Sequence, residues 1–108
     1  MCGLAGYYCA DGINKNILLD MTKSLSHRGP DDEGVWQNNI VGLAHTRLSI
    51  LDLSSNGHQP MVSSSGRYII VFNGEIYNHL KIRKKIITHW NSHSDTETIL
   101  ENIENFGI

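Results

Sequence analysis

The chain has 108 residues, 40% of them hydrophobic and 19% charged, so its composition is that of a folded protein and not of a disordered tail. This length allows one small domain or part of a larger one. Nine basic and eleven acidic residues give a net charge of −2, which favours neither a nucleic-acid-binding surface nor a polybasic membrane patch.

The N-terminal segment, the length of the apolar runs and the two cysteines indicate the cellular compartment. No cation precedes Lys15, so the segment is not typical of a secretory signal, and no apolar run approaches the roughly 18 residues of a membrane span. The two cysteines, Cys2 and Cys9, are too few for a disulfide framework. Their odd spacing in one predicted strand points them to opposite faces, which disfavours a bond between them. We expect a reducing, cytoplasmic environment.

The first half of the chain predicts a strand, a helix and two further β segments. The opening GLAGYYC run is short, apolar and aromatic, and the segment after it carries apolar residues at helical spacing. Gly29-Pro30 is a turn signal. The predicted elements are, in order, a strand at 3–9, a helix at 14–26, a loop at 27–34 and β segments at 34–38 and 40–51.

The second half predicts a loop, one strand and two helices. RYIIVF is the most strand-like run of the chain, and Asn73-Gly74 follows it directly. Ser94 and Glu97 have the spacing of a helix capping box, an apolar stripe follows, and Gly107 suits the helix end. The predicted elements are a loop at 52–66, a strand at 67–72, a helix at 76–87 and a helix from Ser94 to Gly107.

Cys2 is a candidate nucleophile. Removal of Met1 would leave Cys2 with both a thiol and a free α-amine, and such an amine can act as the general base of its own nucleophile. Gly3 and Gly6 would let a substrate or a neighbouring strand approach the backbone closely. The alternative is a chance cysteine in an ordinary strand, which these residues alone favour.

Other polar residues each allow a structural and a functional interpretation. Asn73-Gly74 is by itself a turn signal, but an amide side chain and a backbone N–H can also stabilise an oxyanion. Arg47 lies in a β-like stretch, either as an exposed residue or as a clamp for a carboxylate. Asp95 and Glu97 would cap the last helix and complement its dipole, or one of them would bind a substrate ammonium.

The histidines and acidic residues do not predict a metal site. His89 and His93 lie four residues apart, but the segment between them has little helical pattern, and no further ligands occur at suitable spacing. The acidic triplet at 31–33 follows a proline and is typical of a solvated loop, with divalent-cation binding as the minor alternative.

Five segments resemble, in order, the N-terminal glutaminase domain of glutamine-hydrolysing asparagine synthetases, a class II (N-terminal-nucleophile) glutamine amidotransferase. They cover nearly the whole chain. They are MCGLAGYY at 1–8, SHRGPDDEG at 26–34, LAHTRLSILDLSSNGHQPM at 43–61, FNGEIYNHLKIRKKI at 72–86 and SHSDTETIL at 92–100. RLSILDLS and GHQPM resemble the asparagine-synthetase branch, and not the branches that make glucosamine phosphate or phosphoribosylamine.

This resemblance implies a fold and a domain organisation. The fold would be of the α+β class, an αββα sandwich in which helices cover two antiparallel sheets. Residues 1–108 would be a partial glutaminase domain, the N-terminal part of the sandwich, with the synthetase domain outside the sequence. No cofactor is implied for this domain, and no metal. ATP and magnesium would belong to the synthetase domain.

The resemblance also implies a role for each matching residue. Cys2 would be the nucleophile, with its own α-amine as proton shuttle. Asn73 and Gly74 would stabilise the oxyanion. The glutamine itself would be bound by a larger set: the α-carboxylate by Arg47, the α-ammonium by Glu75 and Asp95, and the rest of the pocket by the backbone of Leu48 to Ile50.

The implied activity is hydrolysis of glutamine to glutamate and ammonia through a thioester at Cys2. In the full-length protein this would feed ATP-dependent synthesis of asparagine from aspartate. The implied partners are glutamine, the C-terminal synthetase domain and a second copy in a homodimer, with no nucleic acid and no membrane. Two alternatives remain: transfer of ammonia to another acceptor, such as a sugar acid or a peptide carboxylate, and an inactive remnant that acts as a binding module.

Overall fold

A computed structural model describes residues 2–48 and 55–108 of the chain. The expectations for Met1 and Ile50 lie outside these residues. So do the end of the β segment predicted at 40–51 and the beginning of the loop predicted at 52–66.

A three-stranded antiparallel sheet forms the first half of the structure. Its strands are β1 (Gly3–Tyr8), β2 (Asp32–Gln37) and β3 (Val41–Arg47), and β3 lies in the centre. Gly3 pairs with Thr46, so Cys2 and Arg47, one residue further on their strands, come to the same end of the sheet. The strand predicted at 3–9 and the β segment predicted at 40–51 are confirmed over β1 and β3. The β segment predicted at 34–38 begins earlier, at Asp32, inside the loop predicted at 27–34, because Asp32 and Glu33 pair with Arg47 and Thr46.

Helix α1 (Lys15–Ser24) covers one face of this sheet. Leu18 is fully buried and lies over Gly42 of β3, where an added Cβ would approach a Leu18 methyl to 3.1 Å. The Asn14 side chain accepts the N–H of Asn16 at 2.9 Å and caps the helix. The predicted helix at 14–26 is thus confirmed, with a 3₁₀ turn over Ser26–Arg28 after it.

The second half contains less regular structure than the sequence predicts. A 3₁₀ turn (Ser55–Gly57) is followed by a two-stranded sheet, and then by two helices. The strands and helices are β4 (Met61–Val62), β5 (Ile69–Ile70), α2 (His79–Arg83) and α3 (Asp95–Phe106). The chain therefore combines antiparallel sheets with segregated helices, and the α+β class is confirmed. No helix of the described segments is long and apolar enough to cross a bilayer.

Two predicted elements are shorter in the structure, and β4 lies where a loop was predicted. The strand predicted at 67–72 is reduced to β5 because the Phe72 N–H and carbonyl bond to side chains instead of a neighbouring strand. The helix predicted at 76–87 is reduced to α2. The Ile76 N–H goes to the Asp95 carboxylate, and beyond Arg83 the backbone hydrogen bonds have i-to-i+3 spacing, as between Arg83 and Ile86.

Helix α3 begins where the capping signal predicts, but only half of the capping box forms. The Ser94 hydroxyl accepts the Thr96 N–H at 3.0 Å. The Glu97 carboxylate does not return to the Ser94 N–H. It accepts the N–H groups of Asn91 and Ser92 at 2.9 and 2.8 Å, so it holds the preceding loop against the helix.

Arg83 ties α2 to the start of α3. Its guanidinium donates to the carbonyls of Ser92 and Ser94 at 2.8 and 2.7 Å and to the Thr98 hydroxyl at 2.8 Å. It also stacks over Trp90, 4.1 Å from the ring centroid. These contacts hold the loop that directly precedes Asp95, the first residue of α3.

Candidate active site

A cavity of about 370 Å³ opens at the end of the first sheet, between β3, the 72–75 segment and the start of α3. Its volume is within the range of small-molecule sites. All predicted site residues of the described segments line it: Cys2, Arg47, Leu48, Asn73, Gly74, Glu75 and Asp95. Ile50 lies outside the described segments.

Cys2 is half-buried and directly precedes β1. Its Sγ accepts the Leu48 N–H at 3.3 Å and lies 3.6 Å from the Leu48 carbonyl oxygen. The Cys2 carbonyl accepts a hydrogen bond from Arg28 Nε at 3.4 Å. The position of the thiol is therefore set by the residue that follows β3, and both cysteines of the chain are free thiols.

Arg47 is the last residue of β3 and is only 8% exposed. Its guanidinium lies against Gly57, where an added Cβ would collide with Nη2. Gly57 therefore makes room for the guanidinium beside the cavity. A buried, planar guanidinium that borders a cavity is suited to bind a carboxylate through two parallel hydrogen bonds.

The segment 72–76, whose residues 72–75 line the cavity, is held at both ends. The Phe72 N–H donates to Gln59 Oε1 at 2.7 Å, and the Phe72 carbonyl lies 3.3 Å from His45 Nε2. At the other end the Ile76 N–H donates to the Asp95 carboxylate at 2.8 Å. The exposed residues between these anchors, 73–75, are therefore held at defined positions.

The structure separates the two carboxylates of the first helical turn. Asp95 is 5% exposed and lines the cavity, with one oxygen engaged by Ile76. Glu97 is equally buried but does not line this cavity, and the Ser92 hydroxyl donates to it at 2.7 Å. Ser94 thus makes the capping contact and Glu97 holds the preceding loop, whereas Asp95 is the carboxylate that faces the site.

Gly57, Gln59 and Thr96 line the cavity, and His45 contacts the carbonyl of Phe72 in its wall, but sequence reasoning did not single out these four residues. His45 is 1% exposed, and burial lowers the pKa of its imidazole below the usual range, partly opposed by the Phe72 carbonyl. One signal was available: His45 and Arg47 are two residues apart on a strand, so they share a face. Gln59, Gly57 and Thr96 had no comparable signal because their roles depend on contacts with distant segments.

The histidines and carboxylates of the described segments form no group of three or more that would hold a metal ion. In particular, His89 is exposed and lies in a second, smaller cavity with Glu97 and Glu101, whose carboxylates accept protein N–H and hydroxyl groups.

Comparison with known proteins identifies the class. The family model of the glutamine amidotransferase domain matches residues 1–108, so the chain belongs to this family of enzyme domains. Among curated relatives, it is 39% identical over 112 residues to the glutamine-hydrolysing asparagine synthetase 1 of Arabidopsis thaliana, with 100% of this chain and 19% of the relative covered. It is 40% identical over 114 residues to the glutamine-hydrolysing asparagine synthetase 2 of Bacillus subtilis, with 100% of this chain and 15% of the relative covered. The chain spans a quarter or less of the length of these relatives.

Proposed function

We propose that the chain binds glutamine in the cavity at the end of the first sheet and hydrolyses it to glutamate and ammonia. The observation that carries this proposal is the composition of the cavity wall. A thiol, a guanidinium, an amide and a carboxylate, from Cys2, Arg47, Asn73 and Asp95, border one space of about 370 Å³. Free glutamine offers a complementary set: a carboxylate, an ammonium and a carboxamide.

The two ends of the amino acid are bound by opposite charges. Arg47 binds the α-carboxylate, because its guanidinium matches the two oxygens in one plane. Asp95 and Glu75 bind the α-ammonium. Asp95 is suited to this because the Ile76 N–H engages one of its oxygens and holds the carboxylate in place. These contacts orient the carboxamide towards Cys2.

The reaction proceeds through a thioester. With Met1 removed, the α-amine of Cys2 takes the thiol proton and Sγ attacks the carboxamide carbon. The resulting oxyanion is stabilised by the Asn73 side-chain amide and the Gly74 N–H. The intermediate collapses by breaking the C–N bond, and the α-ammonium returns its proton to the leaving ammonia. Water then attacks the thioester, releasing glutamate and restoring the thiol.

The wider setting is proposed from the relatives. Their names combine asparagine synthesis with glutamine hydrolysis, and this chain corresponds to only part of their length. We infer that the ammonia serves ATP-dependent synthesis of asparagine from aspartate in a synthetase domain, which would also carry the ATP and magnesium sites. The proposed glutaminase step itself uses only groups of this chain and water. The chain would form the N-terminal part of an αββα sandwich.

The proposal is tested by the intact mass of the full chain after incubation with 6-diazo-5-oxo-L-norleucine, an electrophilic glutamine mimic. We expect a species that has lost Met1 and carries one adduct, mapped to Cys2, and excess glutamine should prevent its formation. Cys9 is the internal control, because it is also a partly buried free thiol but does not line the cavity. No adduct in the folded chain, or an adduct at Cys9 alone, would contradict the proposal.

A substitution of Gly57 tests the role of Arg47 without changing a charge. In Gly57→Ala the new methyl group displaces the guanidinium, so the KM for glutamine should rise about tenfold, equivalent to ~1.4 kcal/mol of binding free energy. Steady-state kinetics should show a smaller change in kcat. Asn56→Ala is the matched control, since Asn56 is the exposed neighbour in the same turn and does not line this cavity. An unchanged KM in Gly57→Ala would contradict the role of Arg47.

A further inference from the structure

We propose that His45 is a positioning residue for the oxyanion-stabilising segment: its Nε2–H donates to the Phe72 carbonyl and so orients Asn73 and Gly74 towards Cys2. This inference rests on the proposed glutaminase activity, and it assigns a task to a buried titratable residue that the mechanism above does not use.

The location of His45 makes it a link between two parts of the site. It lies on β3, the central strand, directly opposite Leu4 of β1, which is two residues from Cys2. Its imidazole contacts Phe72, 27 residues further along the chain. The residue therefore connects the sheet that carries the nucleophile with the segment that carries the oxyanion donors.

The hydrogen bond defines the protonation state of the ring. Nε2 lies 3.3 Å from the Phe72 carbonyl oxygen, and a carbonyl can only accept, so Nε2 carries the proton. Burial lowers the pKa of the imidazole and so favours the neutral ring, as do Arg47 and His58, while the Phe72 carbonyl and Asp32 oppose this shift. Nδ1 is then an acceptor, and it has no hydrogen-bond partner within the described segments.

A buried and unsatisfied Nδ1 argues against a purely structural residue. Burying a polar atom without a partner destabilises the fold, so an apolar side chain would fill this space at lower cost. The favourable contact of the ring is the one with Phe72. We therefore interpret this contact through its effect on the segment that contains the Phe72 carbonyl.

The carbonyl of Phe72 and the N–H of Asn73 belong to one planar peptide unit. Fixing this carbonyl therefore fixes the peptide plane that contains the backbone nitrogen of Asn73. The preceding peptide is held as well, because the Phe72 N–H donates to Gln59 and the Gln59 amide donates to the Thr96 hydroxyl at 3.2 Å. His45 and Gln59 together hold Phe72 from both sides and leave the exposed Asn73 little freedom.

This arrangement predicts an effect on the chemical step. Oxyanion donors act only within about 2.7–3.1 Å of the developing charge, and a misplacement of about 1 Å can reduce the rate ~10²-fold. Arg47 and Asp95, which bind the ends of glutamine, are held by other contacts. Loss of the His45 hydrogen bond should therefore lower kcat and leave the KM for glutamine nearly unchanged.

The test compares two isosteres in the full chain. His45→Gln places an amide N–H close to the position of Nε2, whereas His45→Asn places its amide near Nδ1 and cannot reach Phe72. We expect His45→Asn to lower kcat up to ~10²-fold and His45→Gln to restore most of it. Inhibition by glutamate γ-semialdehyde, whose aldehyde forms a tetrahedral adduct with a thiol, should weaken in parallel in His45→Asn, while inhibition by glutamate should not.

Equal kcat values in the two variants, or a loss confined to KM, would overturn the proposal. The ring nitrogens of the wild-type chain, observed by ¹⁵N NMR, give a test that needs no variant: a proton on Nδ1 instead of Nε2 also overturns it. If the wild-type chain hydrolyses no glutamine, the proposed function fails, and the NMR result still decides whether the contact exists.

Discussion

The Cys2→Ala chain should release no ammonia from glutamine above the uncatalysed rate and should form no adduct with 6-diazo-5-oxo-L-norleucine. Every covalent step of the proposed reaction begins or ends at Sγ, so no partial mechanism remains when the sulfur is removed. Ammonia release is measured by a coupled assay, and adduct formation by intact mass.

Two further measurements make this result specific. Glutamine should still bind to Cys2→Ala, as measured by calorimetry, because Arg47 and Asp95 are unchanged. Cys9→Ala should retain full activity, since Cys9 follows β1 and does not line the cavity. Undiminished ammonia release by Cys2→Ala would exclude the thioester mechanism.

The second large effect concerns Asn73. Replacing it with alanine removes one of the two proposed oxyanion donors, so kcat should fall ~10²–10³-fold, or about 2.7–4 kcal/mol of transition-state stabilisation. KM should change little, because the carboxamide oxygen develops its charge only in the transition state. Asn73→Asp should lose still more activity, since a carboxylate at this position repels the oxyanion.

Asn78→Ala is the matched control for this prediction. Asn78 is an exposed asparagine five residues further along the chain, and it does not line the cavity. Steady-state kinetics should show wild-type kcat in this variant. A kcat in Asn73→Ala that also equals the wild-type value would mean that the side-chain amide does not contact the oxyanion.

Local signals predicted the elements that depend on local interactions. The start of α3 follows from the Ser94 cap, and α1 follows from its apolar spacing and Asn14. The strand predicted at 67–72 failed at its end because the polar backbone groups of Phe72 bond to Gln59 and His45. Those partners are 13 and 27 residues away, beyond the reach of any local pattern.

The same distinction applies to the candidate site. The residues proposed to contact glutamine were identified because they occur in recognisable motifs. Gly57 was not identified in this way, because its role is to leave space for the Arg47 guanidinium. The sequence allows Glu97 as well as Asp95 to bind the ammonium, and only the contacts with Asn91 and Ser92 show that Glu97 holds the loop.

The way in which segment 72–76 is attached has a consequence for judging other members of this family. The hydrogen bonds that hold its ends join backbone groups to the side chains of His45, Gln59 and Asp95, and strand pairing, which tolerates most substitutions, contributes none of them. The proposed reaction therefore depends also on His45 and Gln59, which are not among the proposed contacts of glutamine. A relative that keeps Cys2, Arg47, Asn73 and Asp95 but has lost the equivalents of His45 and Gln59 would match the motif and still be a poor enzyme. Activity is thus better inferred from the reacting residues and their anchors together.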